Sequence, residues 1–134
     1  MRDVIEDVAR LFTAGEPFGL ATVVRTWKSA PLPAGASMAV GSDGEAVGSV
    51  SGGRAEGAVY DLAQEVVATG CPVLQRYGVT DGDAFAVGLT CGGSLDVFVE
   101  KVSARTWPDL PQVVESVCTR EPVAVATVVS EGGC

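Results

Sequence analysis

At 134 residues and 47% hydrophobic content, the chain suits one domain with a real core and needs no disulfide staples. Its 17 acidic against 9 basic residues give a formal charge of −8, and no Lys or Arg cluster is visible. That balance argues against nucleic-acid and anionic-membrane partners. The absence of histidine removes the usual general base and the commonest metal ligand.

No apolar run approaches the roughly 20 residues of a membrane span, and the N-terminus lacks the pattern of a secretory signal. The expected compartment is cytoplasmic. Cys71, Cys91, Cys118 and Cys134 lie far apart with no CxxC pair, so a structural zinc site is not expected. In that compartment all four are expected to be free thiols.

In chain order, residues 4–14 read as an amphipathic helix, with Val4, Ile5, Val8, Leu11 and Phe12 on one face. Asp3 with Glu6 supplies an N-cap and its partner, and Gly15 the stop. Phe18 to Thr26 is β-branched and apolar enough to be a strand buried on both faces. Trp27 to Gly35, with two prolines and a glycine, is a loop. Ser37–Val40 and Ala46–Ser49 are short strands of a hairpin turning at Asp43-Gly44. A second helix covers residues 55–69, with Ala58, Val59, Leu62, Ala63, Val66 and Val67 as its apolar stripe and Gly70 at its end.

Val73–Val79 reads as a strand, Thr80–Asp83 as a solvated turn, and Ala84–Leu89 as a short apolar strand. Leu95–Lys101 alternates apolar and polar residues, as a strand does. Residues 108–119 make a third helix, with Leu110, Val113, Val114 and Val117 on one face. Finally, Glu121-Pro122-Val123-Ala124-Val125-Ala126-Thr127-Val128-Val129 echoes Glu16-Pro17-Phe18-Gly19-Leu20-Ala21-Thr22-Val23-Val24. Residues 120–134 are thus either the start of a following segment or an extra strand closing a single domain of residues 1–134. The fold class is α/β or α+β, with a mixed β-sheet of about six strands and about three helices.

Two glycine-rich turns carry the chemistry. In the first, Ser49, Ser51, Gly52, Gly53, Arg54 and Glu56 lie between a strand and a helix N-terminus. Free amides and the helix dipole there suit an oxyanion such as a phosphate. Arg54 has a guanidinium for a bidentate contact. Glu56 caps amides or complements the dipole, with a general-base role as the alternative. The second turn holds Thr90, Cys91, Gly92 and Gly93. Cys91 is either a thiol with a lowered pKa or a small buried hydrophobe. Both turns also suit ordinary strand connections. If they share one edge of the sheet, they form a single polar cradle. Cys71 and Cys118 read as core residues, Trp27 and Trp107 as packing residues beside loops, and Met38 as core.

Several blocks in order resemble the XdhC/CoxI family, the accessory proteins of xanthine dehydrogenase and related molybdenum hydroxylases. They are Ala21-Thr22-Val23-Val24, Ser29-Ala30-Pro31, Gly35-Ala36-Ser37-Met38, Asp43-Gly44, Gly48-Ser49-Val50-Ser51-Gly52-Gly53, Glu56, and Leu89-Thr90-Cys91-Gly92-Gly93 with Val97 to Glu100. The resemblance implies a non-catalytic chaperone that binds molybdenum cofactor (molybdopterin), assists its sulfuration and delivers it to a molybdenum hydroxylase apoenzyme. A sulfurtransferase is a further implied partner. Three departures stand out: longer members carry a C-terminal Rossmann-type domain for which these 134 residues are expected to have no room, and two motifs change. The family's cysteine after Ser-Gly-Gly is Arg54 here, and its Gly-Ser-x-Pro-Arg reads Lys28-Ser29-Ala30-Pro31-Leu32. Arginine cannot ligate molybdenum or carry sulfur. The alternative is therefore an interaction or scaffold module that has lost the cofactor and binds the partner enzyme or a sister subunit. An enzyme acting on a phosphorylated small molecule has only the glycine turns behind it. Strand edges and apolar content also allow a homodimer.

Overall fold

The computed structural model describes residues 1–28, 30, 32–53, 55–78 and 93–129. Strand β1 (Phe18–Trp27) is the centre of the sheet, as its apolar, β-branched sequence requires. On one side it pairs with β2 (Ser37–Val40), which pairs in turn with β3 (Ala46–Gly48). On the other side it pairs with β5 (Ser94–Val102), whose far edge takes β4 (Val73–Gly78). The order is β3-β2-β1-β5-β4. Among the described residues there are five strands and every pairing is antiparallel where a mixed sheet was expected, so the α+β alternative holds. The strand expected at Ala84–Leu89 lies outside them.

Helix α2 (Glu56–Thr69) packs on one sheet face, where Val59, Ala63 and Val66 meet Ala21, Val23, Leu95, Val97 and Val99. Close approach is possible because Gly19 has no side chain: a Cβ there would lie 2.9 Å from the Ala63 Cβ. Helices α1 (Ile5–Thr13) and α3 (Leu110–Cys118) supply a second cluster, in which Val8, Leu11 and Leu110 pack with Phe18, Leu20, Ala39 and Val102. Gly70 closes α2 in the left-handed conformation with φ +75°. Asp3 does not cap α1. Its carboxylate instead accepts the Ser37 amide at 3.2 Å, and the helix N-cap is Val4.

The hairpin turn at Asp43-Gly44 forms as expected, with Asp43 accepting the Glu45 amide and Gly44 at φ +86°. Residues 121–129, which echo the opening of β1, pair with none of the five strands and expose Val123, Val125 and Val128. No helix among the described residues is long and apolar enough to cross a membrane.

Alternation of strand direction fixes where the loops emerge. The C-terminal ends of β1, β3 and β4 and the N-terminal ends of β2 and β5 all lie at one end of the sheet. The loop after β1, the Ser49–Ala55 turn and the glycine at position 93 therefore belong to the same end.

Candidate functional site

The first glycine turn leaves β3 at Gly48, where φ is +84° and a Cβ would collide with the Ser37 carbonyl and Val4. Only glycine fits there, and it turns the chain so that Ser49 donates its amide to the Ser37 carbonyl at 3.1 Å. The amides that follow do point inward as a cradle, and that cradle is already filled. The Glu56 carboxylate, on the first residue of α2, reaches back into it.

Oε1 accepts from the Ser49 hydroxyl at 2.6 Å, the Val50 amide at 3.1 Å and the Ser51 amide at 2.9 Å. Oε2 accepts from the Ser51 hydroxyl at 2.5 Å and the Gly53 amide at 2.9 Å. The two serines are themselves tied in, because Ser49 Oγ accepts the Gly52 amide at 3.0 Å and Ser51 Oγ accepts the Ala55 amide at 2.6 Å. Ser51 is fully buried. Burial opposes ionisation of Glu56. Hydrogen bonds from the hydroxyls of Ser49 and Ser51 and the amides of Ser51 and Val50 outweigh it and hold the carboxyl down at about 2.

Of the residues picked out from sequence, Ser49, Ser51, Gly52, Gly53 and Glu56 are thus brought together, with Glu56 as the anion and the rest as its host. Gly93 is buried at the start of β5, at the same end of the sheet. Arg54, Thr90, Cys91 and Gly92 lie outside the described residues. A cleft of about 660 Å³ opens beside Ser49, walled by Arg2, Asp3, Leu32 and Ala36. Leu32, one of the departures noted above, makes that wall apolar.

The cysteines differ from expectation. Cys71 is disulfide-bonded rather than a free thiol in the core, and Cys118 is free but exposed. Cys91 and Cys134 lie outside the described residues. Among the described residues no three His, Cys, Asp or Glu side chains converge on a metal position.

A second polar group escaped the sequence reading. Asp96 falls in the polar phase of β5, where an exposed residue is expected, yet it is only 4% exposed. Register explains this: Asp96 sits between Arg25 of β1 and Arg76 of β4. The Arg76 guanidinium grips its carboxylate through Nε at 2.9 Å and Nη2 at 3.4 Å. The same guanidinium lies 4.3 Å from the centre of the Trp27 ring, with Arg25 at 5.8 Å. Trp27 therefore belongs to a cation–aromatic cluster and not to either apolar core. The signal available in sequence was Phe98, an aromatic in the supposedly exposed phase and also buried.

The molybdenum cofactor implied by the resemblance tests this geometry directly. Its phosphate has the right chemistry for the Ser49–Gly53 donors, but those donors are spent on Glu56. With Glu56 in place, the cradle itself does not fit the group.

Fold and site together define a small α+β domain whose glycine turn is locked by its own helix. A model of the XdhC and CoxI family matches residues 11–78, and the chain belongs to that family. It is 31% identical over 97 residues to YqeB of Escherichia coli, covering 72% of this chain and 18% of that protein. It is 31% identical over 125 residues to the molybdenum cofactor insertion chaperone PaoD of Escherichia coli, covering 92% of this chain and 38% of PaoD. Among solved structures it resembles that of a xanthine dehydrogenase from Bacillus halodurans, with TM-score 0.71 and 28% identity over 86% of this chain and 35% of that one. The chain spans well under half the length of each.

Proposed function

We propose that the chain is a non-catalytic accessory domain in the handling of molybdenum cofactor for a molybdenum hydroxylase apoenzyme. The observation that carries this reading is the similarity to PaoD over nearly the whole chain, within the family blocks that build the described sheet and first turn. In this reading Ser49, Ser51 and Glu56 act as a scaffold. They hold Gly52 and Gly53 in a fixed shape, and the cofactor is met outside that filled cradle, by Arg54, Thr90, Cys91, Gly92 and Gly93. Assistance with sulfuration, alongside a sulfurtransferase, belongs to the same proposal through Cys91.

The filled cradle favours a second reading, in which the chain recognises the partner enzyme without carrying the cofactor. One experiment separates the two. The purified chain is titrated anaerobically with molybdenum cofactor and followed by absorbance, with Cys91→Ser and Arg54→Ala beside it. Saturable binding by the parent, lost in Cys91→Ser, supports the carrier reading. No binding by a parent with intact circular dichroism refutes it and leaves the partner-recognition reading.

A further inference from the structure

The cluster around Trp27 is unlike the rest of this acidic molecule. Arg25, Asp96 and Arg76 stand side by side on three adjacent strands, so the row spans about 10 Å across the sheet. Asp96 is consumed by Arg76 and buried, so the exposed charge of the row is positive. Lys28 follows Trp27 directly. It is exposed, and its backbone is held at φ +57°, a conformation uncommon for a residue with a side chain. Neither Arg25 nor Lys28 has an ion-pair partner among the described residues. Trp27 is half-buried, and the apolar clusters of α1, α2 and α3 do not include it.

A cationic rim around a tryptophan, braced by an arginine that is itself pinned by a buried carboxylate, has the make-up of an interface anchor. Tryptophan and arginine are the residues most enriched at such positions, and preorganisation lowers the cost of binding. We infer that Arg25, Trp27, Lys28 and Arg76 form a docking surface for an acidic segment of a partner protein. Charge complementarity selects the partner: a patch with this sign, on a chain of net charge −8, attracts acidic surface locally while the rest of the molecule repels it. The inference rests on the partner proposed above, a molybdenum hydroxylase apoenzyme. It places contact with that partner at the same sheet end as the Ser49–Gly53 turn.

The test measures binding of the purified chain to a purified molybdenum hydroxylase apoenzyme at several salt concentrations. Three variants accompany it: Arg25→Gln with Lys28→Gln, Trp27→Ala, and Arg105→Gln, an exposed cation outside the cluster, as control. The expected result is at least a tenfold loss of affinity in the double variant at low salt, with a shallower salt dependence and no change in the control. The double variant alters only exposed side chains, so it remains informative if Trp27→Ala fails to fold. Equal affinity of parent and double variant, or an equal loss in the control, overturns the docking surface and leaves the accessory role standing. No binding by the parent overturns both. A salt-sensitive dimer of the parent that the double variant dissolves assigns the patch to a second copy and overturns the inference.

Discussion

Replacing Glu56 by Gln probes whether the locked turn is held by charge or only by shape. Glutamine retains one acceptor oxygen, which can keep the Ser49 hydroxyl and the amides of Val50 and Ser51. Its NH2 group then faces the Gly53 amide, donor against donor. It also faces a Ser51 hydroxyl that already accepts from Ala55. A stranded amide costs about 1–3 kcal/mol.

The titration gives an independent figure. Holding the carboxyl at about 2 rather than 4.5 sets a ceiling of about 3 kcal/mol, at roughly 1.4 kcal/mol per pH unit. The carboxylate is partly open to solvent, so screening reduces that to about 1–2 kcal/mol. The two routes agree on a loss of about 2 kcal/mol at neutral pH, or roughly 6–10 °C in Tm for a domain of this size. Because the folded carboxyl is depressed, the stabilisation is fully present above about pH 4.5 and fades as pH falls toward 2. Urea unfolding of parent and Glu56→Gln should therefore differ most near neutrality and converge toward about pH 2. A difference that stays constant across that window, or a variant as stable as the parent at neutrality, would refute the charge-based lock.

Other consequences can be checked on the same instruments. Arg76→Ala leaves the Asp96 carboxylate buried without its gripping partner and should cost about 2–4 kcal/mol, whereas Asp96→Asn leaves a neutral hydrogen-bonding amide beside an already exposed arginine and should cost about 1. Equal losses in urea unfolding would contradict the assigned burial. Burial pushes the Tyr77 hydroxyl up to about 12, so folding gains stability below about pH 10 that is lost as pH rises toward 12. Tyr77→Phe should flatten that alkaline loss in pH-dependent unfolding. Gly19→Ala drives a methyl group into Ala63 and should destabilise by about 1–3 kcal/mol. Gly57→Ala, with open space around it on α2, should stabilise by about 0.5 kcal/mol in thermal melts.

Much of the fold was legible because local rules decided it. The stripe of α2, its glycine stop, the Asp43-Gly44 hairpin and the apolar run of β1 each specify their element within a few residues of sequence. The turn at Ser49 was legible as an anion cradle, since serine hydroxyls and glycine-freed amides ahead of a helix have that property wherever they occur. What the local pattern did not reveal was the occupant. Glu56 is seven residues beyond Ser49, and only once the helix starts there does its carboxylate swing back into the amides. Asp96 was missed for a stricter reason. Its burial depends on lying between Arg25 and Arg76, and strand register is a property of three distant segments at once.

These two sites bear on one another. A carboxylate in the cradle satisfies the amides of Val50, Ser51 and Gly53 without a ligand, so this part of the turn is formed in the free chain. The Asp96–Arg76–Trp27 stack does the same for its part of the same sheet end. In both cases a buried or half-buried acid neutralises and orients donors that would otherwise need solvent or a ligand. A surface held in its bound shape loses little conformational entropy on docking, which strengthens binding. Breaking either acid should therefore weaken partner binding more than the lost contacts alone account for. Measuring both Glu56→Gln and Asp96→Asn against the apoenzyme would show whether that preorganisation is real. Affinities equal to the parent's would mean that the locks serve folding and nothing more.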